Sequence, residues 1–238
     1  MALPIANVAK YELTLPSQQK TIQYRPFLVK EEKILLMALE SGKPEEMLTA
    51  VKDIVKSCTF EAINPEDYPL FDLEYIFLQI RAKSVGEVAK IRILCPDDKK
   101  TYENVEVDLS KVEVYVDDNL SNNIVLDETR KLGVVLKYPS LKDVERFAEH
   151  GDESIQSAMK MITACIDSIF DADNLYDAKN ETVEALDKFI DSLNNEQFTK
   201  LSEFFKEMPA LHSTISFNCT SCNHANSEEL RGLQSFFT

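Results

Sequence analysis

Tyr11, Leu13 and Leu15 fall on one side of an extended segment, the polar stretch from Pro16 to Lys20 turns, and Ile22 and Tyr24 resume the period of two. This alternation predicts a β-hairpin. After Arg25-Pro26-Phe27 the period lengthens, because Glu31 and Glu32 followed by Ile34, Leu35, Met37 and Ala38 suit an amphipathic helix ending near Gly42. Pro44 stands where a first-turn proline is tolerated, and Met47, Leu48, Val51, Ile54 and Val55 continue a second helix. Pro65 and Pro69 punctuate a loop. A third helix follows, with Asp72 as its candidate cap and Leu73, Ile76, Phe77 and Ile80 as one apolar stripe before Ser84-Val85-Gly86.

Period two returns in the middle of the chain. Ile91, Ile93 and Cys95 alternate with polar residues, as do Val105, Val107 and Leu109, then Val112, Val114 and Val116, which together predict a small antiparallel sheet. Val134 to Leu136 adds a further strand before Tyr138-Pro139, and Ser140 with Asp143 three residues on has the form of a capping box. Helical spacing then takes over at Ile155, Met159, Ile162 and Ile166, at Leu186, Phe189, Ile190 and Leu193, and at Phe198, Leu201, Phe204 and Phe205 up to Met208-Pro209. The end of the chain gives a strand from Ser213 to Phe217, a knuckle from Cys219 to His224, and a short helix bearing Leu230, Leu233 and Phe237. The expected fold class is α+β: an N-terminal hairpin with helices and a small antiparallel sheet, then a mainly helical part ending in the CxxC knuckle. Five glycines and no Gly/Ser-rich or Pro-rich linker leave the boundary unmarked. The best division is residues 1–138 as a mixed α+β domain and 139–238 as the helical one, with a single domain as the alternative.

Composition narrows the function. A chain of 238 residues with 44% hydrophobic content can bury a core. No run approaches the roughly 18 apolar residues of a membrane span, and the start Met1-Ala2-Leu3-Pro4-Ile5 lacks the features of a signal peptide, so the chain is expected to stay in the cytoplasm that makes it. A net charge of -15 with no local Lys/Arg cluster argues against a nucleic-acid partner. Acidic pairs such as Asp117-Asp118 are ordinary turn material. Arg25 has two candidate partners, a carboxylate on another protein or the Glu31-Glu32 helix start, and the second is the local one.

Chemistry concentrates at the cysteines. Cys58 and Cys165 sit in helix-like apolar patterns and are expected as reduced core residues, whereas Cys219 and Cys222 are spaced to aim two thiolates at one Zn²⁺. Tetrahedral zinc wants four ligands. His224 offers a third, though two residues after Cys222 is an awkward position, and Cys95 offers one from a distance. Cys95-Pro96-Asp97-Asp98 has the form of half a two-knuckle ribbon in which the second cysteine has become Asp98, a replacement that weakens a zinc site without abolishing it. The alternative is a knuckle-shaped turn with two reduced cysteines and no cofactor. No catalytic pattern accompanies it: His150 beside Gly151 suits a helix C-terminus, His212 lies next to the helix-breaking Pro209, and phosphate-loop, nucleophile-elbow, metalloprotease and calcium-loop patterns are missing. No enzymatic activity is expected.

Leu13-Thr-Leu-Pro-Ser17 followed by Tyr24-Arg-Pro-Phe-Leu-Val-Lys-Glu-Glu-Lys33 resembles the opening of T4-like phage baseplate hub proteins, and is similar also to phage tail assembly chaperones. Phe71 to Tyr75, Arg81 to Glu87, Leu136 to Ser140, Phe217 to Cys222 and Leu230 to Phe237 extend the baseplate resemblance along nearly the whole chain. The resemblance implies a virion protein of the baseplate that helps build the central hub through contacts with other hub and tail proteins, without covalent catalysis. Two alternatives follow: a transient hub or tail assembly chaperone absent from the mature particle, and a zinc-stabilised binding or regulatory module. The Phe236-Phe237 pair is a candidate for docking into a partner or for packing on the chain's own core.

Overall fold

A computed structural model describes residues 7–116, 120–148 and 155–236. The readings made at Met1 to Ile5, Asp117-Asp118, His150 and Phe237 lie outside the described residues. Seven α-helices and eleven strands, arranged in four sheets, are found among the described residues. The chain separates into two compact units: residues 1–65, 71–115 and 210–238, and residues 66–70 with 116–209.

The first unit opens with the expected hairpin. β1 (Tyr11–Thr14) pairs antiparallel with β2 (Thr21–Tyr24), burying Leu13, Leu15, Ile22 and Tyr24. Its turn is held from an unexpected place. Asp72, which the sequence suggests as a helix cap, instead accepts hydrogen bonds from the backbone N–H of Ser17 (3.1 Å) and from the Ser17 hydroxyl. Asp72 is fully buried, and burial raises its carboxyl above the ordinary value against those two bonds.

α1 (Val29–Ser41) and α2 (Pro44–Cys58) form a helix pair whose ends follow sequence chemistry: Gly42 takes the left-handed C-cap at φ 64°, and Pro44 stands at the start of α2. Arg25 finds the local partner. Its Nη2 lies 2.9 Å from Glu31 Oε1, while Ser57 Oγ donates to the same oxygen (2.9 Å) and the Leu28 N–H to Oε2 (2.8 Å). α3 (Leu70–Val85) is buried along Leu73, Ile76, Phe77 and Ile80, as its stripe predicts.

Two sheets complete this unit. β3 (Val88–Leu94) pairs only with β4 (Tyr102–Asp108), whereas β5 (Glu113–Tyr115) leaves them and joins the edge of a sheet ordered β11-β10-β5. β10 (Ala210–Asn218) and β11 (Ala225–Arg231) are the long antiparallel hairpin at the chain's end. The single three-strand sheet expected for residues 91–116 is therefore replaced by two sheets. Leu78, Ile91, Leu109, Leu211, Leu230 and Phe236 meet in the shared core, so Phe236 packs on its own chain.

The second unit contains β6 (Asn123–Asp127), β7 (Leu132–Leu136), α4 (Leu141–Ala148), α5 (Ile155–Ala164), β8 (Ile166–Phe170), β9 (Leu175–Asp177), α6 (Val183–Asp191) and α7 (Asn195–Lys206). Its four strands form one antiparallel sheet in the order β6-β7-β8-β9, and Val134, Leu136, Ile162, Ile190, Leu201 and Phe204 form its core. The predicted capping box at Ser140 and Asp143 is present: Ser140 Oγ accepts from the Asp143 N–H (3.3 Å) and Asp143 Oδ2 from the Ser140 N–H (3.0 Å).

The mainly helical C-terminal part is not what forms. Beyond residue 138, β8, β9, β10 and β11 alternate with α4 to α7. Ile166 continues the spacing of Ile162, yet α5 ends at Ala164, where the Cys165 N–H closes the last turn on Met161 O and Ile162 O. Ile166 then pairs with Leu136 on β7. Leu230 likewise belongs to β11 and not to a terminal helix; only Leu233–Phe236 make a short 3-10 turn.

Candidate metal centre

Two hairpin turns bring the chemistry together. The first links β3 to β4: Cys95 follows the end of β3, its N–H donates to Thr101 O (2.8 Å), and its carbonyl accepts from the Lys99 N–H (2.9 Å). The second links β10 to β11: the Cys219 N–H donates to His224 O (3.0 Å), and its carbonyl accepts from the Asn223 N–H (2.9 Å). Each turn thus closes four residues after its leading cysteine, on a residue in the left-handed region, Lys99 at φ 54° and Asn223 at φ 57°. Both loops are knuckles that share this closure, the first returning to the leading cysteine's N–H one residue later than the second. In such a turn residues i and i+3 point the same way, which places Cys95 with Asp98 and Cys219 with Cys222.

The ligand atoms of these four residues all lie within 4.8 Å of one another. Cys95 Sγ is 3.8 Å from Cys222 Sγ, and Cys219 Sγ is 3.7 Å from Asp98 Oδ2. A tetrahedral Zn²⁺ with Zn–S of about 2.3 Å separates two sulfur ligands by about 3.8 Å and, with Zn–O of about 2.0 Å, a sulfur from an oxygen by about 3.5 Å, so the Cys95–Cys222 edge already has the required length and the Cys219–Asp98 edge is close to it. Cys95 and Cys219 are buried and Cys222 is exposed.

Neighbouring groups hold the ligand atoms in place. Asp98 divides its carboxylate: Oδ1 accepts from the N–H groups of Lys100 and Thr101 (2.9 Å each), while Oδ2 takes the Thr101 hydroxyl (2.6 Å) and faces Cys219. The Thr101 hydroxyl, with those N–H groups, holds the carboxyl at about 2. Backbone N–H groups, Asp98's first and then Asp97's, lower the Cys95 thiol, and Asn226 Nδ2 donates to Cys95 Sγ at 3.6 Å. At Cys222 the His224 N–H favours the thiolate, but desolvation and the protons shared with Cys219, Cys95 and Asp97 outweigh it and push the thiol up to about 12. Glu103 on β4 accepts from the N–H and hydroxyl of Thr220, both at 2.7 Å, which ties the second knuckle to the first hairpin.

The sequence-predicted pair Cys219 and Cys222 is joined by Cys95 and by Asp98, the position read as a lost cysteine. His224 is not brought in: its side chain is exposed, and its carbonyl serves Cys219 and Asn226. Asn226 and Glu103 carry no sequence signal beyond their strand positions, because their partners stand 131 and 117 residues away. The remaining cysteines are core residues. Cys58 and Cys165 are fully buried, and burial pushes their thiols up to about 11 and about 12. His212 lies on β10 with Nε2 3.3 Å from Glu229 Oε1. A concavity of about 420 Å³ in the second unit is lined by Lys137, Lys160, Lys179, Asp143, Asp167 and Asp187 among others, a mixed-charge lining without His or Cys. No described helix is long and apolar enough to cross a membrane.

Among the described residues, the knuckle cluster is the one group of His, Cys, Asp and Glu side chains whose ligand atoms converge, and none of its residues lines the concavity. Fold and site together define an α+β protein whose chemistry is suited to holding its own chain in shape. Residues 8–238 match the family model described as T4 bacteriophage base plate protein, and the chain belongs to that family. Membership makes it a structural component of the phage baseplate that interacts with other baseplate proteins. No curated protein and no solved structure matches the chain.

Proposed function

We propose that this chain is a non-enzymatic component of the baseplate central hub, acting through protein–protein contacts made during hub assembly in the host cytoplasm. The family match across residues 8–238 carries this reading. The outer face of α1 supports it. Glu31, Leu35 and Ala38 line the buried side of that helix, yet Val29, Leu36 and Met37 on its other sides are 67%, 51% and 70% exposed. A surface helix ordinarily carries charged or polar residues there, and an outer face that sets Val29, Leu36 and Met37 among the exposed Lys33 and Glu40 suits a covering protein with apolar and charged contacts. Its proposed occupant is another baseplate protein.

Quantitative mass spectrometry of purified particles and of assembly intermediates tests the reading. A fixed copy number in both supports a hub subunit. Presence in the intermediates alone assigns the chain to assembly and removes it from the finished hub; absence from both defeats the proposal. A double substitution of Val29→Glu and Met37→Lys should leave the fold intact by circular dichroism and cut incorporation at least about tenfold, as expected when apolar anchors are lost from an interface.

A further inference from the structure

We infer that Cys95, Asp98, Cys219 and Cys222 together bind one Zn²⁺, and that this ion fastens the β3–β4 turn to the β10–β11 turn. The two hairpins belong to separate sheets, so no backbone ladder joins them. They are joined by core side chains, by the Glu103–Thr220 hydrogen bonds and by the ligand cluster. The metal therefore staples residues more than a hundred positions apart, returning the end of the chain to its middle.

Three observations carry the assignment. The turns share one closure, with the i+4 N–H closing on the leading cysteine's carbonyl and a left-handed residue at i+4, although one knuckle has an aspartate where the other has a cysteine. Four ligand atoms converge with two opposite edges at 3.8 and 3.7 Å. Donors stand behind the ligands as metal sites require: Asn226 Nδ2 on Cys95, and the Thr101 hydroxyl on Asp98 Oδ2. Three thiolates and one carboxylate select a borderline-soft, four-coordinate ion and disfavour Mg²⁺ or Ca²⁺, which take oxygen ligands in larger number.

Two blander accounts explain less. Asp98 stabilises its own turn through Oδ1 and, with the Thr101 hydroxyl, through Oδ2, which accounts for its carboxylate but not for the three cysteine sulfurs gathered around it. A Cys95–Cys222 disulfide would engage two of the four groups and would leave Cys219 and Asp98 with no common purpose. This inference does not depend on the hub reading, since metal content and particle incorporation are measured separately.

The test uses the full chain, purified without chelator. Elemental analysis should find one zinc per chain, and Co²⁺ replacing it should show the visible d–d bands of tetrahedral ligation with sulfur-to-cobalt charge transfer in the near ultraviolet. Asp98 is then separated from its turn role by two substitutions. Asp98→Asn keeps an oxygen for the Lys100 and Thr101 N–H groups but loses the anionic ligand; Asp98→Cys does the opposite. Ligation predicts that Asp98→Cys binds Co²⁺ at least as tightly as the parent, with stronger charge transfer, while Asp98→Asn binds at least about tenfold more weakly; Asn226→Leu should weaken binding by about 10- to 100-fold. Zinc well below one equivalent together with no tetrahedral Co²⁺ spectrum in the parent chain would overturn the site. Tighter binding by Asp98→Asn than by Asp98→Cys would remove Asp98 from it.

Discussion

At Glu31, burial and charge pull in opposite directions. Burial works against the carboxylate, but hydrogen bonds from Arg25, the Leu28 N–H and Ser57 outweigh it and hold the group at about 2, against an ordinary 4.5. A depressed carboxyl pKa stabilises the fold fully above the unfolded value and is lost as pH falls through the folded one. The window thus runs from about pH 5 down to about pH 2, and the group contributes on the order of 2–3 kcal/mol at neutral pH. Glu31→Gln should flatten that acid limb in urea denaturation followed at several pH values. Arg25→Ala should cost about 3 kcal/mol at pH 7, because it leaves a buried carboxylate facing only the exposed Lys30 ammonium, 3.3 Å away. This pair is legible in the sequence, since six residues separate the partners across one turn. The Ser17–Asp72 contact is not, because the partners stand 55 positions apart and Asp72 equally suits a helix start. Asp98 falls between these cases: its spacing from Cys95 marks the half-knuckle, but only folding sets the other half against it.

Elements were readable where one periodicity ruled and failed where two were compatible. α1, α2, α3, α6 and α7 follow stripes at offsets of three, four and seven, and the C-cap Gly42 of α1 and the first-turn Pro44 of α2 are chemical signals. β8 is hidden because Ile162 and Ile166 keep helical spacing across the end of α5; the buried Ile166 and Ser168 flanking exposed Asp167 give period two, but over too few residues to compete. At Leu230 the offsets to Leu233 and Phe237 imitate a helix, while the burial of Asn226 and Leu230 about exposed Ser227 and Glu229 marks a strand. The pairing of β5 with β10 joins Val114 to Leu211, and no local pattern announces it. β7 carries a more specific constraint. A Cβ at Gly133 would collide with the Phe170 ring on β8 and stand 2.8 Å from Ile124 O on β6. Gly133→Ala should therefore destabilise the protein by about 1–3 kcal/mol through overpacking, measurable as a lower urea midpoint with unchanged slope.

For the molecule as a whole, each unit has a core of its own. The core around Leu78, Ile91, Leu211 and Phe236 belongs to the first unit, and that around Leu136, Ile162, Leu201 and Phe204 to the second. The metal ligands all belong to the first unit. An ion that binds the folded first unit and not the unfolded chain adds about 2.7 kcal/mol when free metal is a hundredfold above its dissociation constant. Chelation should accordingly speed amide exchange in β3, β4, β10 and β11 while leaving the amides of β7 and α7 protected. Leu201→Ala removes a fully buried side chain from the second core and should cost about 3 kcal/mol there, with Co²⁺ affinity unchanged. Hydrogen exchange followed by mass spectrometry reads both arms. Faster exchange confined to the unit that was perturbed is the expected result. If either perturbation loosens both units alike, the two cores unfold as one, and the metal stabilises the whole chain instead of the hairpins it joins.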